Sequence, residues 1–268
     1  MKTVTHQDVK NMSYVDLMAF LGEINRPPGG KDSVRRVIQN CFINKESKVI
    51  DVGCNTGYCS FEIVHTAKCH VTGVDLNRNM IKAADGFKKK DPFGFLVDFK
   101  IADAMKLPFK SEVFDVVFSG GSTAFIEDKE KAVGEYKRIL KQWGFIADIN
   151  FFYRIVPPIK LISQLNKLMD INIKPWKIDY WISLYKNCGL EKYFIYTDDV
   201  KKVTKGEINK YCLAMASQKS LSEDARRELI KRLTDIMNLF NENHKYLSYG
   251  IFIFRKGPDQ EQISLFGE

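Results

Sequence analysis

No stretch of this 268-residue sequence approaches the ~18 consecutive apolar residues of a membrane-spanning helix. Its first ten residues, MKTVTHQDVK, lack the apolar run of a secretory leader. The six cysteines (41, 54, 59, 69, 188 and 212) form no Cys-x-x-Cys pair and have no histidine at zinc-finger spacing. Internal repeats and low-complexity tracts are missing too. Membrane spanning, secretion, a disulfide scaffold and structural zinc are thereby disfavoured, and no metal site is expected. Scattered, reduced thiols point to a cytoplasmic protein.

What is present is ordinary for a globular chain: 45% of residues are apolar and 28% are charged. A chain of this size buries roughly three quarters of the surface its unfolded form exposes, so its core needs no staples. The net charge of +8 is spread out, with only short clusters such as Lys88-Lys89-Lys90. Such a charge reads as a solvated surface that aids solubility. It also suits weak attraction to an anionic partner, a nucleic acid or a phosphorylated substrate.

Periodicity predicts two N-terminal helices, over 13–24 and after Asp32-Ser33. The first has Ser13 and Asp16 placed as a capping box; the second has the apolar stripe Val34, Val37, Ile38, Cys41 and Phe42. From residue 49, short strands (49–52, 70–75, 95–101, 113–118, 144–152) alternate with helices (to 67, 79–89, 128–141). Such alternation means βαβ units and a parallel sheet covered on both faces. Helices over 175–188, 204–217 and 222–240, a strand over 190–197 and a final strand over 246–255 follow.

The centre of the sequence is Val49-Ile50-Asp51-Val52-Gly53-Cys54-Asn55-Thr56-Gly57-Tyr58. A strand that ends in a glycine turn before a helix lets a ligand approach the backbone beside the helix N-terminus. The G-x-G-x-x-G fingerprint of a dinucleotide site fails, because Asn55 and Tyr58 stand at two of its glycine positions. Asp51, two residues before Gly53, would repel a pyrophosphate. It suits the ammonium of an amino-acid moiety, directly or through water.

With these residues the sequence resembles a class I, Rossmann-like S-adenosylmethionine-dependent methyltransferase, over roughly residues 30–152 and into the later strands. Asp51-x-Gly53-x-Asn55-x-Gly57 stands where the family has D/E-x-G-x-G-x-G, with Asn replacing the middle glycine in a left-handed backbone. The resemblance implies that Asp75 accepts from the ribose hydroxyls and that Asp103-Ala104 meets the adenine. Leu76, Cys54 and Ser119 are further cofactor contacts on the same ground. Leu107-Pro108-Phe109, Phe114-Asp115-Val116-Val117 and Glu135-x-x-Arg138-Ile139-Leu140-Lys141 resemble the ubiquinone/menaquinone C-methyltransferase-like group. The family's Lys-Pro-Gly-Gly turn reads Lys141-Gln142-Trp143-Gly144 here. The implied fold is a doubly wound α/β sheet of seven strands, mostly parallel with the last antiparallel, helices on both faces and a helical lid.

Methyl transfer from a sulfonium needs mainly positioning and desolvation, and no dedicated base is evident. Asp148, Tyr153 and His244 are the candidates, with Ser119, Ser122, Asn150 and Phe152 as further pocket residues and Tyr14 or Tyr58 as covers for the cofactor. Ser119-Gly120-Gly121-Ser122 replaces the Pro-Pro motif of amino-methylating DNA enzymes, and Pro-Cys is absent. Both disfavour direct DNA-base methylation. Residues 1–45 are expected to cover the site, and 46–257 to form the methyltransferase domain. Lid insertions are expected at about 153–188 and 198–244, carrying Trp176, Tyr180, Trp181, Tyr185 and Tyr211. A covered pocket favours a small or medium-sized acceptor over a polymer.

Residues 258–268 read as a flexible tail in which Gln262-Ile263-Ser264-Leu265-Phe266 resembles the peptide that docks bacterial replication and repair proteins on the DNA sliding clamp. Two alternatives therefore accompany the enzyme: a DNA-associated protein recruited by this peptide, and a non-catalytic nucleotide-cofactor-binding protein.

Overall fold

The computed structural model describes residues 4–22 and 26–258. Seven strands form one sheet: β1 (Lys48–Val52), β2 (His70–Asp75), β3 (Val97–Ile101), β4 (Phe114–Ser119), β5 (Leu140–Tyr153), β6 (Glu191–Asp199) and β7 (Leu247–Arg255). Their order is β3-β2-β1-β4-β5-β7-β6, and only β7 runs antiparallel to its neighbours. Central strands buried on both faces carry near-continuous apolar runs, as Val49-Ile50-Asp51-Val52 does. The winding direction reverses between β1 and β4. Open sheets of this winding bind ligands in a crevice at that point, outside the carboxyl ends of the parallel strands.

One face is covered by α3 (Gly30–Asn40) and α4 (Tyr58–Ala67), whose Val34, Val37, Ile63 and Val64 pack on Val49, Val71, Ile251 and Ile253. On the other, α6 (Lys129–Ile139) and α8 (Ile178–Asn187) bury Tyr136, Ile139, Trp181 and Tyr185 against Ile50, Val117, Phe252 and Phe254. Between β2 and β3 lies α5 (Arg78–Lys88), which turns Met80, Ile81 and Ala84 inward.

Three expectations change here. Trp181 and Tyr185, assigned to a lid, belong to the sheet's own core: Tyr185 stacks on Phe254 at 4.8 Å and Trp181 Nε1 donates to the Phe151 carbonyl at 3.1 Å. The second half of the 153–188 insertion is thus the crossover helix that a parallel sheet requires. Phe42 leaves the buried stripe of α3 because the chain turns at a positive φ of 53° just past the helix, and it is 63% exposed. Lys141–Gly144 is no separate turn but a bulge within β5, whose pairing slips from Phe114↔Leu140 to Val116↔Phe145.

A third cluster lies apart from the sheet. It comprises α1 (His6–Asn11), α2 (Tyr14–Leu21), α9 (Lys205–Ser217) and α10 (Glu223–His244), with Leu168 of α7 (Ile159–Met169) against it. Val9, Leu17 and Leu21 meet Ile208, Leu229, Leu233 and Ile236, all nearly or fully buried. Each such side chain stabilises by roughly 1.5–3 kcal/mol. Thr5, Ser13, Thr204 and Ser222 cap the helices, Thr5 and Thr204 through full capping boxes. At the other end of α1, the Arg232 guanidinium donates to the carbonyls of Val9 and Met12. α1 and α7 had no clear signature, and α10 runs four residues past the predicted 240, to His244.

Among the described residues no helix is long and apolar enough to cross a membrane, and no cluster of His, Cys, Asp and Glu is grouped to hold a metal ion. All six cysteines are free thiols. The Gln262–Phe266 peptide lies outside the described residues.

Candidate cofactor and acceptor site

The turn after β1 is held from below by β2. The amides of Gly53 and Cys54 both donate to the Val74 carbonyl, at 2.7 and 3.0 Å. Gly53, Asn55 and Gly57 all have positive φ, at 71°, 52° and 90°. Asn55 therefore supplies the left-handed geometry expected of it. At Gly53 the requirement is also spatial: an added Cβ would lie 2.1 Å from the Cβ of Ser122. At Gly57 it would lie 2.6 Å from the ring of Phe99. The turn is thus a bare strip of backbone leading into the N-terminus of α4, where unsatisfied amides favour a polar ligand.

Asp75, at the end of β2, accepts from the Asn55 amide at 2.9 Å and from the Asn77 amide at 2.8 Å. One bond goes to each carboxylate oxygen, leaving further lone pairs for a ligand's hydroxyls. Burial raises its pKa. The next residue, Leu76, is 72% exposed, an unusual posture for leucine beside a crevice. Asp103 follows β3, accepting from the Met105 amide at 2.8 Å, and Ala104 packs partly against the core.

Asp51 lies beneath this surface. It is 1% exposed, accepts from Ser60 Oγ at 2.6 Å, and burial pushes its pKa up to about 7. Its carboxyl thus ties β1 to the first turn of α4, and Ser60 is a partner that sequence spacing did not reveal. Cys54 and Cys59 are buried thiols with pKa values raised by that burial.

A second polar group occupies the ends of β4 and β5. Ser122 Oγ donates to the Val52 carbonyl at 2.6 Å and lies 3.0 Å from Ser119 Oγ, which in turn accepts from Thr123 Oγ1 at 3.0 Å. Asp148 Oδ2 accepts from the Tyr185 hydroxyl and from Asn150 Nδ2. Asp148 is fully buried, and burial pushes its pKa up to about 6. Its second oxygen, and Asn150 Oδ1, have no hydrogen-bond partner.

The other two acid–base candidates sit farther along β5. Tyr153 donates to Asn243 Oδ1 at 3.1 Å, and burial raises its pKa. His244, the last residue of α10, faces Phe151 with ring centroids 6.3 Å apart. Its Nδ1 is buried without a partner, and burial lowers the pKa of the ring. The structure therefore places the three candidates in two environments: Asp148 within the sheet core, Tyr153 and His244 at the junction of β5 with α10. Asn243, which couples the latter two, carried no sequence signal.

Residues 50–147 match the family model described as a methyltransferase domain. A demethylmenaquinone methyltransferase of Desulfitobacterium hafniense is 27% identical over 146 residues, covering 53% of this chain and 58% of that enzyme. The crystal structure of MccD protein superposes with a TM-score of 0.75 at 24% identity, over 87% of this chain and 100% of the other. Phosphoethanolamine N-methyltransferase 2 of Haemonchus contortus, in complex with S-adenosyl-L-methionine, has a TM-score of 0.67 at 17% identity, over 95% and 58% of the two chains. Sheet order and glycine turn define a doubly wound fold that binds a nucleotide cofactor at its switch point. Residues 50–147 are thus a methyltransferase domain, on a sheet with the class I, Rossmann-like fold of S-adenosylmethionine-dependent methyltransferases. The open backbone at Gly53, the lone pairs of Asp75 and the exposed Leu76 fit that cofactor.

Proposed function

We propose that this enzyme methylates a small or medium-sized acceptor held beneath its helical cluster, which acts as the lid. The carrying observation is the glycine turn at the switch point: Gly53 and Gly57 keep the backbone bare beside a carboxylate, Asp75, that retains free lone pairs. The segments 154–177 and 200–246 both leave a strand end on the crevice side of the sheet, which supports the lid reading.

When bound, the cofactor supplies a methyl group already activated by its sulfonium. Gly53, Cys54, Asn55 and Gly57 would then cradle its amino-acid part, with Asp51 beneath them holding the turn to α4 through Ser60. Asp75 receives the ribose hydroxyls, Leu76 covers the adenine, Asp103-Ala104 meets its edge, and Ser119 borders the methionine end. The chain's own contribution is alignment and exclusion of water. His244 is the group best suited to accept an acceptor's proton, because its ring is neutral near pH 7 and Nδ1 is uncommitted. Asp148, already bound by Tyr185 and Asn150, positions the end of β5 instead.

The names of the relatives, a demethylmenaquinone and a phosphoethanolamine methyltransferase, support acceptors of modest size. Neither points to a sliding clamp, to nucleic acid or to a protein without catalysis.

Calorimetry with S-adenosylmethionine and with NAD tests the cofactor assignment, and binding of NAD alone would overturn it. The acceptor class is tested by transfer of a labelled methyl group to a panel of quinols, phospho-bases and duplex DNA. Labelling of DNA alone would sink the small-acceptor reading.

A further inference from the structure

Beyond β5 the chain does something that neither cofactor binding nor packing explains. Ile155 is 61% exposed, Val156 62% and Ile159 88%, within a run of five residues that also holds Pro157 and Pro158. The segment is not loose at its base. The Tyr153 amide donates to the Trp176 carbonyl at 2.8 Å, the Arg154 amide to the Tyr246 carbonyl at 2.9 Å, and Pro157 is buried. Nor is α7 inverted, because Leu161 and Leu165 are its inward residues. Single exposed aliphatics are normal, whereas a contiguous group marks an interaction surface.

The charges around this finger are net positive, four cations against Asp198 and Asp199. Arg154 and Lys160 bracket it. The end of β6 is brought alongside by the Arg154–Asp199 ion pair at 3.6 Å, so Lys201 and Lys202 follow at the same end of the molecule. Asn241 holds that stretch by bonds to the amide and carbonyl of Val203, at 3.1 and 2.8 Å. Of the two acids, Asp199 is paired with Arg154 and also accepts from Ser248 Oγ at 2.7 Å, and Asp198 accepts from the Tyr196 hydroxyl at 3.2 Å. Lys160, Lys201 and Lys202 are exposed and make no ion pair among the described residues.

We propose that Ile155–Ile159 docks this enzyme on an anionic lipid surface, the three aliphatic side chains entering the headgroup–acyl boundary while Lys160, Lys201 and Lys202 meet lipid phosphates. A protruding aliphatic segment ringed by unpaired cations complements a bilayer, which is apolar beneath an anionic face. The finger lies at the crevice end of the sheet, so docking would turn the cofactor crevice toward the membrane. The inference stands apart from the identity of the acceptor.

The test is co-sedimentation of the full chain with vesicles of mixed phosphatidylglycerol and phosphatidylcholine, against phosphatidylcholine alone, with neither cofactor nor acceptor present. Binding to the anionic vesicles that weakens with salt is expected. Lys201→Gln with Lys202→Gln should lower the partition coefficient about 25-fold. Ile155→Ser with Ile159→Ser should lower it at least about tenfold. Both pairs are exposed, and unchanged thermal unfolding would show that each variant is folded. Absence of sedimentation with anionic vesicles overturns the proposal. So does binding that is indifferent to the isoleucine changes, since adsorption by charge alone needs no finger.

Discussion

Ser122 occupies the space that any side chain at position 53 would need: a Cβ on Gly53 would lie 2.1 Å from the Ser122 Cβ, while Ser122 Oγ donates to the Val52 carbonyl at 2.6 Å. The loop after β4 thus clamps the turn after β1, and the two crevice walls are one unit. Gly53→Ala combines a positive φ with this collision. It should cost about 1–3 kcal/mol of stability and weaken S-adenosylmethionine binding at least about tenfold, as read by thermal unfolding and calorimetry. Unaltered affinity would separate the turn from the cofactor.

Asp75→Asn keeps an acceptor for one backbone amide but removes the charge. A hydrogen bond to a charged group is worth about 1.5–3 kcal/mol, so cofactor affinity should fall about 10- to 100-fold. Asp103→Asn, at a shallower position, should do less. A titration in which Asp103→Asn costs more than Asp75→Asn would reverse the two roles.

Asp148 makes stability depend on pH in a direction opposite to most carboxylates. Burial raises its folded pKa to about 6, above the unfolded value of 3.8. The folded state therefore holds a proton that the unfolded state has lost. Its contribution is full below the unfolded value and is lost as pH rises through about 6. Asp148→Asn should flatten the decline of the melting temperature over that window; a decline of unchanged slope would assign it to another group. Asp51, raised to about 7, acts with the same sign over a window reaching higher.

His244→Asn should leave cofactor binding intact and lower kcat about 100-fold, within the usual range for a general base. The acidic limb of the pH–rate profile should vanish with it. If kcat falls and that limb persists, His244 only supports the fold of the β5–α10 junction.

Removing the Arg232 guanidinium, which donates to the carbonyls of Val9 and Met12, should release α1 from α10. Arg232→Ala is expected to speed amide exchange over residues 6–11 without altering exchange in β1 or β4. Equal protection in both proteins would show that apolar packing at Val9 suffices.

The sheet was legible because its determinants are local. Val49–Val52 and the glycine turn state their strand, its end and the following helix within ten residues. The lid was harder, since Trp181 and Tyr185 have the same helical spacing whether they pack on a sheet or on other helices. Only the partners, Phe252 and Phe254 from the far end of the chain, decide between the two. Ser60 and Asn243 were invisible for a related reason: a serine beside a buried acid, or an asparagine beside a tyrosine, has no pattern until the fold brings them together. The aliphatic finger at 155–159 carries no sequence pattern of its own, because exposure is a property of the folded surface.

The helical cluster is built from both ends of the chain, with Val9, Leu17 and Leu21 resting on α9 and α10. Six of the seven strands separate α1 and α2 in sequence from α9 and α10, which bury them. Contacts of such long sequence separation form late and slowly. Packing of α1 and α2 on α9 and α10 is therefore expected among the later events of folding.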